Sequence, residues 1–408
     1  MKNKRKSFPI SDFAMTLALV AGMALLGACG GGGGADTKTG FGGTGDPTPP
    51  ATTLTAAGPL SAVGIAAIGA TGLDDRASAI FINTLAGQSF NTLKLGMVAE
   101  VAGSIPASST STTAGTATNI IIESAIVGPV SAVDIANQRI LVPPLTVHID
   151  QNTVFEGLSS LANLNAGARV EVYGLPMPES KTVLATRLIS LPTVAGAPVE
   201  LVGTATNVSA FQFTVQGVAV STANLFSVTT PSGVLQGTSS IVENTRVRAL
   251  GNYSSSANTM AASQVVTGIP VVRNDNTIIV LDGVVQSVGT NGRFRLSDTD
   301  VETTTANAAN ATIGARIQVK GQKTAGVLVA SDFRRINVGE RIQYVVQGDI
   351  ANFVSSANFT VRGETINASA ATFVGGSAAN LVNGRAVRIK AQVNAGRLEA
   401  TEVSFVVS

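Results

Sequence analysis

The sequence contains no tryptophan, a single cysteine and a single histidine in 408 residues, and only 13% of its residues are charged. One cysteine excludes an intramolecular disulfide and any zinc centre built from several thiolates. One histidine excludes a histidine-rich metal site. Aromatic residues make up 4% of the chain, which leaves few rings for stacking on sugars or single-stranded nucleic acid. Sparse charge with a mean hydropathy of +0.33 excludes a disordered acidic or basic chain. A G-x-S-x-G elbow, a phosphate-binding loop and an H-E-x-x-H pair are also missing. Glycine, in contrast, is abundant, with 43 residues.

The first residues carry an address. Lys2, Lys4, Arg5 and Lys6 precede a mostly apolar stretch from Phe13 to Leu26. It is too short for a spanning helix and reads as the core of a secretory signal covering residues 1–28. It ends in Leu26-Gly27-Ala28-Cys29, which looks like a bacterial lipobox, with small residues where a peptidase must fit around the backbone. Cys29 is therefore the expected lipidation site. Gly30, rather than Asp, follows it, which resembles the pattern of outer-membrane sorting. Acyl chains at roughly 0.8 kcal/mol per buried methylene would anchor the chain without a spanning helix. Residues 29–55, rich in Gly, Thr and Pro, read as a linker. Within it, Gly40 to Gly45 match G-x-G-x-x-G, but no strand precedes and no helix follows, so no dinucleotide site is expected. Removal of residues 1–28 leaves 23 basic against 24 acidic residues. The precursor pI of 8.8 therefore gives no case for nucleic-acid binding.

The rest of the chain repeats. Gly58-Pro59-Leu60-Ser61-Ala62-Val63 returns as Gly128-Pro129-Val130-Ser131-Ala132-Val133. Alternating strands that close on Gly103, Gly174, Gly251 and Gly321, and on Ala391 in the last copy, follow at spacings of 71, 77, 70 and 70. A third marker sets two turn-type residues between apolar ones five positions apart: Val142 and Val147, Val215 and Val220, Leu296 and Val301, Val361 and Ile366. It predicts hairpins. The first copy lacks a clear form of this marker, so its middle is expected to be irregular. A fourth marker, Ala185-Thr186, Ala262-Ser263, Ala330-Ser331 and Ala400-Thr401, opens a final apolar run. Short Ala/Leu/Asn-rich inserts read as one or two helical turns ended by Gly167, Gly314 or Gly384.

Length alone favours two or three domains, but the markers predict five units: 56–126, 127–195, 196–271, 277–339 and 342–408. The fold class is all-β. Each unit of about 70 residues is long enough for a small core. Five strands with an insert before the fourth is the order of an OB-like barrel, which closes its own edges. A β-sandwich is the alternative.

The second unit, Val127 to Leu191, resembles the bacterial envelope family known as domain of unknown function 5666. The resemblance lies in Gly128-x-Val130-x-x-Val133-Asp134, Val147-x-Ile149-Asp150-x-x-Thr153-x-Phe155, Gly167-x-x-Val170-x-Val172-x-Gly174 and Ala185-Thr186-x-Leu188. The fourth and fifth units are similar but less complete, and the first and third are weaker. The resemblance implies a small β-barrel fold outside the cytoplasm, and no activity.

Few residues offer chemistry. His148 and Asp150 project to one strand face, yet two ligands are too few for a metal. Asp298, Asp300 and Glu302 alternate and could face a hard cation, but Asp298 falls in the hairpin turn, and a solvated tip is the favoured reading. Tyr173 and phenylalanines such as Phe155, Phe213, Phe294, Phe359 and Phe373 read as core. Glu171, Arg248, Gln318 and Arg388 occupy one equivalent position and read as variable outward residues. Ala107 to Thr116 and Asn274 to Asn276 are candidate hinges. The expected function is a non-enzymatic envelope lipoprotein: five beads on a lipid tether, serving as a scaffold, spacer or interaction module. A ligand-binding or assembly-factor module for a polysaccharide, a metal ion or an envelope protein is the alternative. No cofactor and no nucleic-acid partner are expected.

Overall fold

Alternating sequences place every second side chain on one face of a strand, and most of the described residues are used that way. The computed structural model describes residues 52–406 except 64–65, 69–70, 75–77, 84–87, 106–114, 178–179, 226–227, 231–232 and 269–272. The expected signal, Cys29 and most of the linker lie outside the described residues, as does most of the candidate hinge at 107–116. The β region starts earlier than expected. Thr52–Val63 is a strand, and Leu54, inside the stretch read as linker, is fully buried. The threonines around Leu54 suit an extended backbone: Thr52, Thr53 and Thr55 pair with Ile105, Ser104 and Ala102.

The last stretch shows the architecture most plainly. Its first strand, Tyr344–Ser355, pairs antiparallel with Asn358–Val361 on one side and Ala386–Asn394 on the other. Asn358–Val361 pairs with Glu364–Asn367, which lies parallel to Arg397–Phe405. Arg397–Phe405 then pairs with Ala386–Asn394 and closes a ring of five strands. Phe359, Val361, Ile366, Ile389 and Val403 fill its interior. The same succession of pairings runs through 278–335 and 52–122. Residues 126–191 and 199–267 carry the corresponding pairs, with additional short strands.

These stretches are not separate beads. Thr52–Val63 lies parallel both to Ile278–Val288 and to Tyr344–Ser355, and Ile126–Pro129 pairs with Val199–Thr204. One 17-stranded and one 14-stranded sheet result, and residues 51–408 form one compact unit. The physical reason for the larger sheet is that Thr52–Val63, Ile278–Val288 and Tyr344–Ser355, of 12, 11 and 12 residues, are long enough to finish their own rings and still present free backbone groups to a neighbour.

The second and fourth markers turn out to be two sides of one feature. The strands expected to end at Gly174, Gly251 and Gly321 continue to Met177, Ser254 and Thr324. The Ala-Thr or Ala-Ser step lies inside the partner strand rather than at its start. At each such place the register slips by one residue, a β-bulge. The extra residue is Thr118, Thr186, Ser263, Ser331 or Thr401. Its hydroxyl donates at 3.1–3.2 Å to the carbonyl of the residue before the Gly or Ala across the ladder. The glycine is a matter of space. A Cβ on Gly251 or Gly321 would sit 2.0 Å from the carbonyl oxygen of Ala261 or Val329.

The hairpins form as expected, with positive φ at Gln216 and Gly217 and at Arg362 and Gly363, while Pro143-Pro144 turns through a cis bond. The first stretch also has one, where an irregular middle was expected: Ala66–Ile68 pairs with Thr71–Asp74. Ile68 and Leu73, both buried, stand five apart like the other pairs. The helical inserts are single turns, among them Leu161–Asn163, Thr305–Ala308 and Ala378–Asn380. Gly167, Gly314 and Gly384 do not end them but lie further on, with φ of 81–87°. Their N–H groups donate to the carbonyls of Val130, Val285 and Ile350, which fasten the fourth strand to the first.

Enlarging the bulge glycine tests this reading. Gly321→Val is expected to lower the unfolding free energy by about 1–3 kcal/mol through overpacking, measured by urea denaturation.

Candidate functional site

Charge is scarce in this chain, and much of it is spent between stretches. Arg187 directly follows the bulge residue Thr186 and is 1% exposed. Its Nη1 donates to both oxygens of Glu364, at 3.1 and 3.2 Å, and to the Leu95 carbonyl at 2.9 Å. Its Nε donates to Glu156 at 3.1 Å. The Leu95 N–H donates back to Glu364 at 2.7 Å, and the Thr186 hydroxyl reaches the Gly96 carbonyl at 2.6 Å. Burial works against the Arg187 charge, but Glu364 and Glu156 outweigh it and hold the guanidinium above its ordinary pKa. Burial lowers the neighbouring Lys94 ammonium, against the pull of Glu364. A crevice of about 280 Å³ lies here. Three stretches meet at these bonds, and the charges satisfy one another.

Two further buried links stand beside it, one between stretches through Asn152 and one inside the fourth stretch through Arg316. Asn152 donates to the Glu340 carbonyl at 2.9 Å, accepts from the Ile342 N–H at 2.8 Å, and offers its own carbonyl to the Tyr344 hydroxyl at 2.9 Å. Arg316 holds Asp282 through two bonds of 2.8 and 2.9 Å, and Gln318 adds a third at 2.8 Å.

The candidate site is a cleft of about 440 Å³ where the first four stretches meet. Glu100 comes from the strand Val98–Ile105 of the first stretch, and Glu123 directly follows that stretch's last strand. Arg246 opens a strand of the third stretch, Arg273 precedes the fourth, and Asp298 sits in the fourth's hairpin turn. Arg273 pairs with Glu100 and, at 3.0 Å, with Asp298; Arg246 pairs with Glu123. Burial pushes the Glu100 carboxyl up despite Arg273. Burial acts the same way on Asp298, but Arg273 and Arg246 overcome it and hold that carboxyl below its usual range. Gln216, from the third hairpin turn, is 6% exposed. Its Nε2 donates to the carbonyls of Ala125 and Val202 at 2.9 and 2.6 Å. Its Oε1 is buried and accepts from nothing among the described residues.

The residues singled out from sequence are dispersed. Asp298 occupies the hairpin turn as expected, but it is bound to Arg273 at the cleft rather than simply solvated. Asp300 pairs with Arg295 at 3.1 Å and Glu302 with Arg293 at 2.8 Å, each across the hairpin ladder. The three carboxylates thus engage three different arginines. His148 is half-buried at the end of Leu145–His148. Asp150 caps the next turn, accepting from the Asn152 N–H at 2.8 Å and the Thr153 hydroxyl at 3.2 Å. Among the described residues, no group of three or more His, Cys, Asp or Glu side chains is placed to hold a metal. Tyr173, Phe213, Phe294 and Phe359 are core residues, while Phe155 and Phe373 are half-buried.

The equivalent positions read as outward are half-buried and three of them are engaged. Glu171 accepts from Asn83 at 2.8 Å, Arg248 pairs with Glu200, and Gln318 bonds to Asp282. Glu100, Glu123, Arg246, Arg273, Gln216, Arg187 and Glu364 were not distinguished by sequence. Their partners lie far away in the chain, 177 residues in the case of Arg187 and Glu364, and no spacing rule reaches that far.

Residues 127–188 and 347–404 match the family model described as Domain of unknown function (DUF5666). The chain therefore carries a repeated DUF5666-like domain, in its second and last stretches. Comparison with curated proteins gave no match.

Arg187→Met is expected to cost about 3–5 kcal/mol of stability, because it leaves buried Glu364 without its cation. The Arg187→Met/Glu364→Leu double variant is expected to recover much of that loss in the same denaturation assay. Glu100 gives a pH test. Its folded pKa lies above the unfolded value, so the stability it confers is greatest below about 4.5 and is lost as pH rises through the folded value. Relative to Glu100→Gln, the wild type is expected to gain stability as pH falls through that window, read from urea midpoints.

Proposed function

We propose that the chain is a non-enzymatic lipoprotein of the cell envelope, tethered through Cys29 to the outer membrane. Its body is a rigid scaffold of five OB-like barrels. The single observation that carries the scaffold reading is the buried Arg187–Glu364 pair with its bonds to Leu95, which locks three stretches together. A flexible spacer has no use for such a lock, because removing any one partner leaves a buried charge unmet. The recurring ring of pairings, with an insert before the fourth strand, supports the OB-like reading of each barrel. The basic start, the short apolar stretch and Leu26-Gly27-Ala28-Cys29 support the anchor. Scaffold partners of this kind are envelope proteins or polysaccharides.

Labelling cells with a radioactive fatty acid tests the anchor. The wild type is expected to take the label and fractionate with the outer membrane. Cys29→Ser is expected to lose the label and stay at precursor length. A labelled, fully processed Cys29→Ser protein would sink the anchor reading.

A further inference from the structure

The cleft between the first four stretches has a chemistry that scaffolding leaves unused. Its walls carry three carboxylates, Glu100, Glu123 and Asp298, against two guanidiniums, Arg246 and Arg273. The other charged groups at the cleft are matched from outside it, Asp282 by Arg316 and Arg295 by Asp300. One negative charge is left over in a partly desolvated place, where an unmatched charge is costly.

Gln216 adds direction. Two carbonyls face its amide nitrogen, so the oxygen must be the atom on the other side, and it is buried with no donor among the described residues. A buried acceptor left unsatisfied costs about 1–3 kcal/mol. The remaining lining includes the apolar residues Val98, Ile121 and Leu175. The volume falls within the roughly 300–1,000 Å³ typical of small-molecule sites.

A hard metal ion does not suit this lining. Such ions take six or more oxygens, whereas each carboxylate here is already held by an arginine. The vacancies are one positive charge, one N–H donor and an apolar body. We propose that the cleft binds a small organic cation, an ammonium or amidinium group balancing Glu100, Glu123 and Asp298 and donating to Gln216 Oε1. Its alkyl part lies against Val98 and Leu175. The inference goes beyond the scaffold reading and does not depend on the anchor.

Calorimetric titration of the purified full chain with agmatine, cadaverine and pentylamine tests it, with pentanol, pentanoate and calcium chloride as controls. Saturable binding of at least one amine is expected, at least tenfold tighter than any control. Asp298→Asn, at a half-exposed turn, is expected to weaken that binding at least tenfold. Glu302→Gln, on the exposed ladder, is expected to leave it unchanged. No heat from any amine, equal binding of pentanol or calcium, or undiminished binding by a folded Asp298→Asn would each overturn the proposal. Should Asp298→Asn fail to fold, the wild-type comparison of amines with controls decides alone.

Discussion

Arg187 cannot be left alone where it sits. At 1% exposure a guanidinium needs every donor engaged, and the acceptors come from Glu364, Glu156 and the Leu95 carbonyl. A buried ion pair of this kind adds little net stability compared with apolar residues of the same shape. Its force is in specificity. An arrangement in which the first, second or last stretch docks elsewhere would strand a charge in the interior. The Asn152 link imposes a similar condition on polar groups at another seam. A chain with few charges has therefore placed them where a mistake in assembly is most costly.

The β-bulge makes that placement possible. An inserted residue bends its strand and re-aims the side chains after it. In the second stretch the inserted Thr186 bonds both to its own ladder and to Gly96 of the first stretch, and the next residue is Arg187. The device occurs in every stretch, but the residue after it differs: Asn119, Arg187, Gln264, Asp332 and Glu402. One repeated backbone feature thus presents a different side chain each time. The stretches became unequal at a point where their backbones are most alike.

The cleft follows from the same fusion. Neither Glu100 nor Arg273 forms a site within its own stretch; the two meet because Thr52–Val63 runs parallel to Ile278–Val288. Burial then separates the titration of similar groups, raising Glu100 while Arg273 and Arg246 hold Asp298 low. A compact body made by sharing strands acquires a polar interior that isolated barrels of about 70 residues would lack.

Much of this was legible in the order of residues. All-β character, the hairpin turns at Gln216-Gly217 and Arg362-Gly363, and the single-turn inserts follow from alternation and turn chemistry, which act over a few residues. The position of each bulge was also legible, as a Gly or Ala in one strand and Ala-Thr or Ala-Ser in the next, though not its meaning, because a bulge is a relation between two strands. Asp298 stood out among acidic residues, while its partner Arg273 did not. The joining of the stretches, the burial of Arg187 against a glutamate 177 residues away, and the gathering of the cleft's charges were decided only in three dimensions. Local patterns determine which backbone forms. Which surfaces of those backbones meet depends on desolvation and charge pairing between residues that no sequence spacing relates.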